Sequence, residues 1–291
     1  MTFQRLRQLL ACAAALLLIQ APVRAASHPS FQVEVSGAGQ PIILIPGLAS
    51  SGEVWNGTVA RYCGNHQCHV LTLAGFAGVP PVDAPLLPAV EQQLSDYISA
   101  LGMDHPLVIG HSLGGYLALK LAADHPQQVG RLVIVDALPA LGAAQLPSAT
   151  PAQLKEIADS TRSRMLQQDG ANAIARQRQV LATMISKPAD IERAAGWGQR
   201  SDRASVANSM AELLQDDLRR DIGRIQAPTL VLGSWIAYRD YATREAIEQN
   251  YRQQYRALAG VRIALADTAR HFIMYDDPDW MYARIDDFLK N

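Results

Sequence analysis

Two residues of this sequence could act together in catalysis. One is a serine that lies between two glycines, and the other is a histidine near the C-terminus. Ser112 lies in the run Gly110-His111-Ser112-Leu113-Gly114, and His271 follows far downstream. A serine hydroxyl attacks a carbonyl carbon when a neighbouring base takes its proton, and histidine suits that role at neutral pH. The pair therefore predicts acyl transfer through a covalent serine intermediate.

The glycines around Ser112 predict a sharp turn between a strand and a helix. Residues 107–109 are a short apolar run typical of a buried strand, and residues 116–123 have helical spacing. A serine in such a turn has a strained backbone, and side chains at 110 and 114 would collide with neighbouring backbone. We expect Ser112 to project at the start of the helix, where N–H groups favour negative charge.

A second turn lies upstream and supplies another donor for negative charge. The apolar run ending at Ile45 leads into Pro46-Gly47-Leu48. A backbone N–H in this turn can face the serine from the side opposite the helix. We therefore assign the oxyanion hole to the N–H groups of Leu48 and Leu113.

His271 is the candidate base because of its position in the chain. It follows the last predicted strand and precedes the closing helix of residues 280–289. A base must approach the serine from a loop at the carboxyl ends of the strands. His125 lies in a surface turn before Pro126, and the elbow turns His111 away. The remaining histidines all precede the serine: His28, His66, His69 and His105.

The elements that position these residues alternate between strands and helices. Seven runs rich in apolar residues predict strands at residues 31–35, 41–45, 70–73, 107–109, 132–135, 229–232 and 261–265. Helical segments separate most of them. This alternation predicts an α/β fold with a mostly parallel, doubly wound sheet covered on both faces.

Residues 140–222 differ from the rest of the chain. They show helical spacing and no convincing strand, which predicts a helical cap inserted above the sheet. Six of its apolar residues either line a pocket or pack helix on helix: Met165, Leu166, Met184, Ile185, Trp197 and Met210.

With these motifs, the sequence resembles the α/β-hydrolase superfamily across nearly the whole mature chain. The resemblance rests on Pro46-Gly47-Leu48, on Gly110 to Gly115, and on His271. It is closest in character to single-domain serine esterases with a helical cap. It implies cleavage of a carboxylic ester or related acyl bond of a small neutral substrate through an acyl-enzyme, with no cofactor and no metal.

The third member of the triad departs from the family's pattern. In most members an acidic residue lies about three positions beyond a glycine that ends the strand after the cap. Here Gly233 is followed by Ser234 and Trp235, and Ile236 holds that position. Asp136 directly follows the strand next to the serine strand, so we favour it as the acid. Asp240 is the alternative on the later loop, and Asp267 or no acid stays open.

The first 25 residues predict a signal peptide rather than a part of the fold. Arg5 and Arg7 precede an apolar run at 9–19, and Val23-Arg24-Ala25 offers small residues for cleavage. The run of about 11 residues is too short to cross a bilayer, which takes about 20. We expect an exported protein, periplasmic or secreted, with a mature domain of residues 26–291.

The net charge and the cysteine content indicate which ligands and which cysteine chemistry to expect. A formal charge of −1 gives no electrostatic footprint for nucleic acid or an anionic membrane surface, and favours a neutral small-molecule substrate. Cys63 and Cys68 predict a local disulfide in an oxidising compartment. A metal site with His66 and His69 is the competing interpretation, but its ligand spacing is tighter than usual.

Three other functions share these features. A peptidase or amidase uses the same triad. A cofactor-free haloperoxidase-like or acyl-transferase reaction depends on which nucleophile enters after acylation. A non-catalytic binding protein on the same fold is the rival from another class, because the unusual acid position suggests a lost triad. The sequence makes no prediction of oligomeric state.

Overall fold

Seven strands form one sheet at the centre of the molecule. The computed structural model describes residues 28–83, 85–168 and 170–290, so the predicted signal peptide lies outside the described residues. The strands are β1 (Phe31–Ser36), β2 (Gln40–Ile45), β3 (His66–Leu73), β4 (Leu107–His111), β5 (Arg131–Val135), β6 (Thr229–Ser234) and β7 (Arg262–Ala266). Their order in the sheet is β1-β3-β2-β4-β5-β6-β7. β1 is antiparallel to β3, and the other pairs are parallel.

The central strands are continuously apolar because helices cover both faces of the sheet. Side chains of β2, β4, β5 and β6 are almost all buried, as expected for parallel strands between two helical layers. β1 lies at the edge and buries Phe31 while most of its other side chains reach solvent. The predicted edge strand and doubly wound parallel sheet are therefore confirmed.

The helices divide between the two faces and a separate cap. Their bounds are α1 (Asn56–Tyr62), α2 (Leu86–Ala100), α3 (Leu113–Asp124), α4 (Leu141–Gln145), α5 (Pro151–Gln167), α6 (Gly170–Met184), α7 (Pro188–Gln199), α8 (Arg203–Gln215), α9 (Arg244–Gln254), α10 (Ile273–Asp276) and α11 (Pro278–Lys290). Short 3₁₀ turns occupy Gly52–Trp55, Asp221–Arg224 and Ile236–Tyr238. Apolar residues of α2, α3 and α9 form one core. Those of α1 and α11 form the other.

The helices α4 to α8, referred to below as the cap, lie between β5 and β6, in the stretch where the sequence predicts a helical insertion. Helix α5 starts at a capping box in which Thr150 accepts a hydrogen bond from the N–H of Gln153. α5 packs on α8 through small and apolar side chains that include Ala158 and Ala211. Small residues let the two helices approach closely, which gives the cap a core of its own.

Hydrogen bonds to backbone groups of the sheet domain attach the cap at two places. The carboxylate of Glu212 on α8 accepts the N–H groups of Leu86 and Leu87 at the start of α2, at 3.3 and 3.0 Å. The N–H of Asp202 donates to the carbonyl of Gly75 at 2.7 Å. A negative charge at a helix N-terminus is stabilising. The cap is therefore held in a defined position over the sheet.

The cysteine pair lies where α1 turns into β3. Cys63 and Cys68 form a disulfide, with their Cα atoms 5.7 Å apart. His66 and His69 make other contacts: His66 bonds the carbonyl of Tyr62, and His69 bonds the hydroxyl of Tyr97 at 2.8 Å. Strand β3 starts at His66, four positions before the predicted start, because these residues pair with β1 and β2.

Two further findings hold for the described ranges. No cluster of three or more His, Cys, Asp or Glu side chains there is arranged to hold a metal ion. No helix in those ranges has the length and apolar character needed to cross a membrane.

Candidate active site

Ser112 lies at the junction of β4 and α3 with a strained backbone. Its φ is 53° and its ψ is −121°, a combination that L-residues with a side chain rarely adopt and that costs about 1–3 kcal/mol. The Ser112 N–H donates to the carbonyl of Val135 at 2.9 Å, and its carbonyl accepts the N–H of Tyr116 at 3.0 Å. The turn is thus fixed from both the neighbouring strand and the following helix.

The two glycines of the turn are required by close backbone approach. A Cβ on Gly110 would lie 2.2 Å from the carbonyl oxygen of Gly114, and a Cβ on Gly114 would lie 2.3 Å from the carbonyl oxygen of Ile45. The first of these oxygens belongs to helix α3 and the second to strand β2, so neither can move without disrupting its element. The sequence argument for glycine at these positions therefore agrees with the structure.

The upstream turn lies against the serine. A Cβ on Gly47 would lie 3.2 Å from the Cβ of Ser112, so the backbone that leads to Leu48 passes close to the serine side chain. Across the described part of the chain, no protein oxygen accepts a hydrogen bond from the N–H of Leu48 or Leu113. Leu48 lines the same cavity as Ser112, and Leu113 is the first residue of α3.

Asp136 follows β5 and has its carboxylate buried among four donors. Its φ is 47°, a left-handed conformation that aspartate tolerates better than most residues. Oδ1 accepts the N–H of Ser234 and the hydroxyl of Tyr251, both at 2.6 Å. Oδ2 accepts the Ser234 hydroxyl at 2.9 Å and Nδ1–H of His271 at 2.6 Å. The structure thus brings the favoured acid into contact with the candidate base.

The alternative carboxylates bond elsewhere. Asp240 has a side chain that is 79% exposed, 3.7 Å from Arg239. Asp267 accepts hydrogen bonds from Trp235 at 3.1 Å and from Arg244 at 2.7 Å. The hydrogen bond with Arg244 lowers the pKa of Asp267. Neither residue takes the position on His271 that Asp136 occupies.

Two partners of Asp136 were not predicted from the sequence. Ser234 ends β6, where its N–H and hydroxyl both reach the carboxylate, and Tyr251 reaches it from α9. Burial, and secondarily the charge of Asp136, raise the pKa of Tyr251 well above its usual value. Its hydroxyl therefore stays a donor. Ser234 could have been noticed as a strand-end residue beside Gly233, but nothing in the sequence points from Tyr251 to Asp136.

The backbone of the His271 loop is held by the strand below and by the cap above. His111 Nε2–H donates to the His271 carbonyl at 3.1 Å, and the two rings pack with centroids 4.6 Å apart. The N–H of Phe272 donates to the carbonyl of Met184, at the end of α6, at 3.1 Å. His111 was expected to be turned away from the serine. Its side chain is buried beneath the loop of the candidate base.

A cavity of about 550 Å³ opens between the sheet edge and the cap. Its lining includes Ser112, His271 and Leu48, so the candidate nucleophile, base and oxyanion turn face one space. Of the six cap residues singled out from the sequence, Met165, Met184 and Met210 line it. Ile185 and Trp197 instead pack in the core beneath. Volume and lining are typical of a small-molecule site.

The chain matches a known protein family over most of its length. Residues 42–284 match the model of a family described as the alpha/beta hydrolase family. The match covers most of the chain and includes every residue placed at the cavity above.

The chain belongs to the alpha/beta hydrolase family.

Two proteins that are similar in sequence to this hydrolase have the names of enzymes. N-formylmaleamate deformylase of Pseudomonas putida is 26% identical over 261 residues, 87% of this chain and 90% of that enzyme. Pimeloyl-[acyl-carrier protein] methyl ester esterase of Aeromonas hydrophila is 31% identical over 113 residues, 38% of this chain and 42% of that enzyme. The second match thus spans less than half of the esterase. Both names are those of hydrolytic enzymes.

Solved structures share the fold. The enol-lactonase from Burkholderia xenovorans superposes with a TM-score of 0.71 over 90% of this chain and 96% of that chain, at 17% identity. Identity this low supports the architecture alone. The sheet and its helical layers in this hydrolase therefore have the same architecture as those of the enol-lactonase.

Burial determines the charge of His111 in this hydrolase. Its desolvation, and secondarily the proximity of His271, hold the pKa of His111 well below its ordinary value, against the opposing effect of the bond to the His271 carbonyl. His111 is therefore neutral at neutral pH. A neutral ring carries one proton, and the contact with the His271 carbonyl places that proton on Nε2.

The lowered pKa of His111 predicts a loss of stability in mild acid. In the unfolded chain a histidine titrates near pH 6.5. Below about pH 6.5 the unfolded state binds a proton that the folded state does not, so stability declines as pH falls further towards the folded pKa. The drop in Tm between neutral pH and pH 5 should be smaller in His111→Asn than in the wild type. A residual slope remains because burial also lowers the pKa of His69.

The matched control for this experiment is His105→Asn. The His105 side chain is 63% exposed, and its φ of 45° suits asparagine. The drop in Tm between neutral pH and pH 5 should be the same in His105→Asn as in the wild type. An equal drop in Tm for His111→Asn and the wild type would show that His111 is not the cause of the loss of stability in acid.

Proposed function

We propose that this hydrolase cleaves a carboxylic ester of a small molecule through an acyl-enzyme on Ser112. His271 is the general base, and Asp136 orients and stabilises it. The N–H groups of Leu48 and Leu113 form the oxyanion hole. The observation that carries the proposal is the 2.6 Å hydrogen bond from His271 Nδ1 to Asp136, with Ser112 and His271 lining one cavity.

The first half of the reaction forms the acyl-enzyme. With its proton on Nδ1, His271 has a free lone pair on Nε2 and takes the proton of the Ser112 hydroxyl as its oxygen attacks the ester carbonyl. The carbonyl oxygen becomes an oxyanion that accepts hydrogen bonds from the two backbone donors. Loss of one such donor costs about 2.7–4 kcal/mol in transition-state stabilisation. His271 then gives its proton to the leaving alcohol as the ester bond breaks.

The second half repeats these steps with water. His271 takes a proton from water as the water oxygen attacks the serine ester, and returns a proton to Ser112 as that ester breaks. The products are a carboxylic acid and an alcohol. The negative charge of Asp136 stabilises the imidazolium form of His271 in both halves, and the chemistry requires no group beyond this chain and water.

Cleavage of an acyl–nitrogen bond is the second candidate, because one relative supports it. The match to the deformylase, which is named for N-formylmaleamate, covers 87% of this chain. The match to the esterase covers 38% of this chain. Parallel panels of p-nitrophenyl esters and acyl anilides separate the two activities. We expect turnover of the esters; exclusive turnover of the anilides would favour the amidase alternative.

A non-catalytic binding protein was the rival suggested by the unusual position of the acid. That argument depended on the absence of a suitable carboxylate at the usual position after β6. Asp136 supplies one from the end of β5, with its carboxylate hydrogen-bonded to His271. The complete set of groups supports catalysis over simple binding.

Replacement of Ser112 by Ala should abolish ester hydrolysis and leave the fold intact. The hydroxyl is the nucleophile in this proposal, and its loss should lower kcat by at least about three orders of magnitude. A fluorophosphonate probe should label the wild type and not Ser112→Ala. Ser163→Ala, at an exposed cap position, should retain full activity and labelling. Near-normal turnover by a pure Ser112→Ala preparation would remove Ser112 from its role.

The assignment of the acid predicts unequal effects of two matched substitutions. Asn at the true acid position favours the wrong histidine tautomer, and in a well-studied Ser-His-Asp protease this lowers turnover by about four orders of magnitude. Asp136→Asn should lose at least about a hundredfold in kcat. Asp240→Asn, at an exposed position, should lose less than about tenfold. The reverse order would place the acid on the loop after β6.

A further inference from the structure

Arg164 on α5 is an unusual member of the cavity lining. Most lining side chains are apolar, including Leu138, Leu154 and Met165. Among the described residues that line the cavity, Arg164 is the one charged side chain besides the proposed catalytic residues Asp136 and His271. It is exposed to solvent, so it stands at the mouth of the cavity.

The guanidinium of Arg164 has no carboxylate partner within residues 28–83, 85–168 and 170–290. Its Nη2 donates to the hydroxyl of Thr161, one turn earlier on α5, at 3.1 Å. Lys155 on the same helix, by contrast, pairs with Asp159 at 2.7 Å. The bond to Thr161 uses one of five N–H donors. The others remain available for a ligand.

A second cavity on the cap is lined in part by the same residues. It has a volume of about 730 Å³ and shares Thr161, Arg164 and Met165 with the first cavity. Its lining adds Arg176 and the glutamines Gln167, Gln168 and Gln179. No carboxylate occurs among its described lining residues. The second cavity is therefore polar and cationic, while the first cavity, which holds Ser112, has a mainly apolar lining.

We propose that the natural substrate carries a carboxylate at the end of its acyl group, far from the ester, and that Arg164 binds this carboxylate. This inference rests on the proposed function and names its substrate class. The acyl chain lies along the apolar lining with its ester carbonyl at Ser112. A guanidinium matches a carboxylate in a planar two-bond geometry.

The near-zero net charge of the chain favoured a neutral substrate, but it sums charges over the whole surface. Recognition depends on the charges at one opening. There the described lining residues of the second cavity include Arg164 and Arg176 and no carboxylate. The local charge thus points to an anionic ligand.

The test compares two series of methyl esters of equal chain length: monomethyl esters of linear dicarboxylic acids, and methyl esters of the corresponding monocarboxylic acids. The wild type should have the lower KM for the first series. Arg164→Gln should raise that KM about tenfold or more, as expected for loss of a hydrogen-bonded charge pair. kcat should hardly change, because the contact is the same in the ground and transition states. The second series should be unaffected, and Arg164→Lys should fall between.

Arg162→Gln is the matched control. Arg162 lies on the same helix, is exposed, and donates to the side chain of Asn208 without lining either cavity. Its kinetic constants should match those of the wild type for both series.

A binding measurement tests the same contact without turnover. The free dicarboxylic acid should raise the Tm of the wild type more than the monocarboxylic acid of the same length, and Arg164→Gln should lose this difference. Equal KM values for the two series, or an equal effect of Arg164→Gln on both, would overturn the carboxylate site while leaving ester hydrolysis in place. Absence of hydrolysis of every ester would instead overturn the proposed function, and this inference with it.

Discussion

A buried carboxylate needs donors on every side, and that requirement links the parts of this molecule. Asp136 is 8% exposed, and an ionised group so far from water is costly unless it is fully hydrogen-bonded. Its four donors come from Ser234 at the end of β6, Tyr251 on α9 and His271 after β7. Three successive segments of the chain therefore converge on one side chain. Removal of any one donor leaves the buried carboxylate of Asp136 with one hydrogen bond fewer.

In the proposed triad, the position of Asp136 also explains why the loop after β6 can lack an acid. β5 lies directly between β4 and β6, so its carboxyl end faces both the serine turn and the later strands. The left-handed backbone of Asp136 turns the chain out of the sheet at that point. Ser112 adds a second strained residue on the adjacent strand. Such strain persists because hydrogen bonds to the neighbouring strands and to the helix α3 fix the backbone at these two residues.

Much of this arrangement could be predicted from the sequence, because strands and turns are encoded locally. The continuous apolar runs of β2, β4, β5 and β6 predict buried parallel strands, and glycines predict the turn at Ser112. Asp136 was favoured as the acid from the expected order of strands. Tyr251 and the cap contact of Phe272 were not predictable, since each joins segments far apart in sequence with no shared pattern. The burial of His111 was missed for the same reason: the ring of its partner His271 arrives from a distant loop.

The proton on His271 Nδ1 is the most direct test of this account, because the Asp136 contact fixes the tautomer on which the proposed mechanism depends. Nitrogen NMR of the protein with ¹⁵N-labelled histidine reports which ring nitrogen carries the proton, and His271→Gln identifies the signals by their loss. At neutral pH we predict a protonated Nδ1 and an unprotonated Nε2 in the wild type, with this preference lost in Asp136→Asn. A wild-type His271 protonated on Nε2 alone, or a tautomer unchanged in Asp136→Asn, would contradict it.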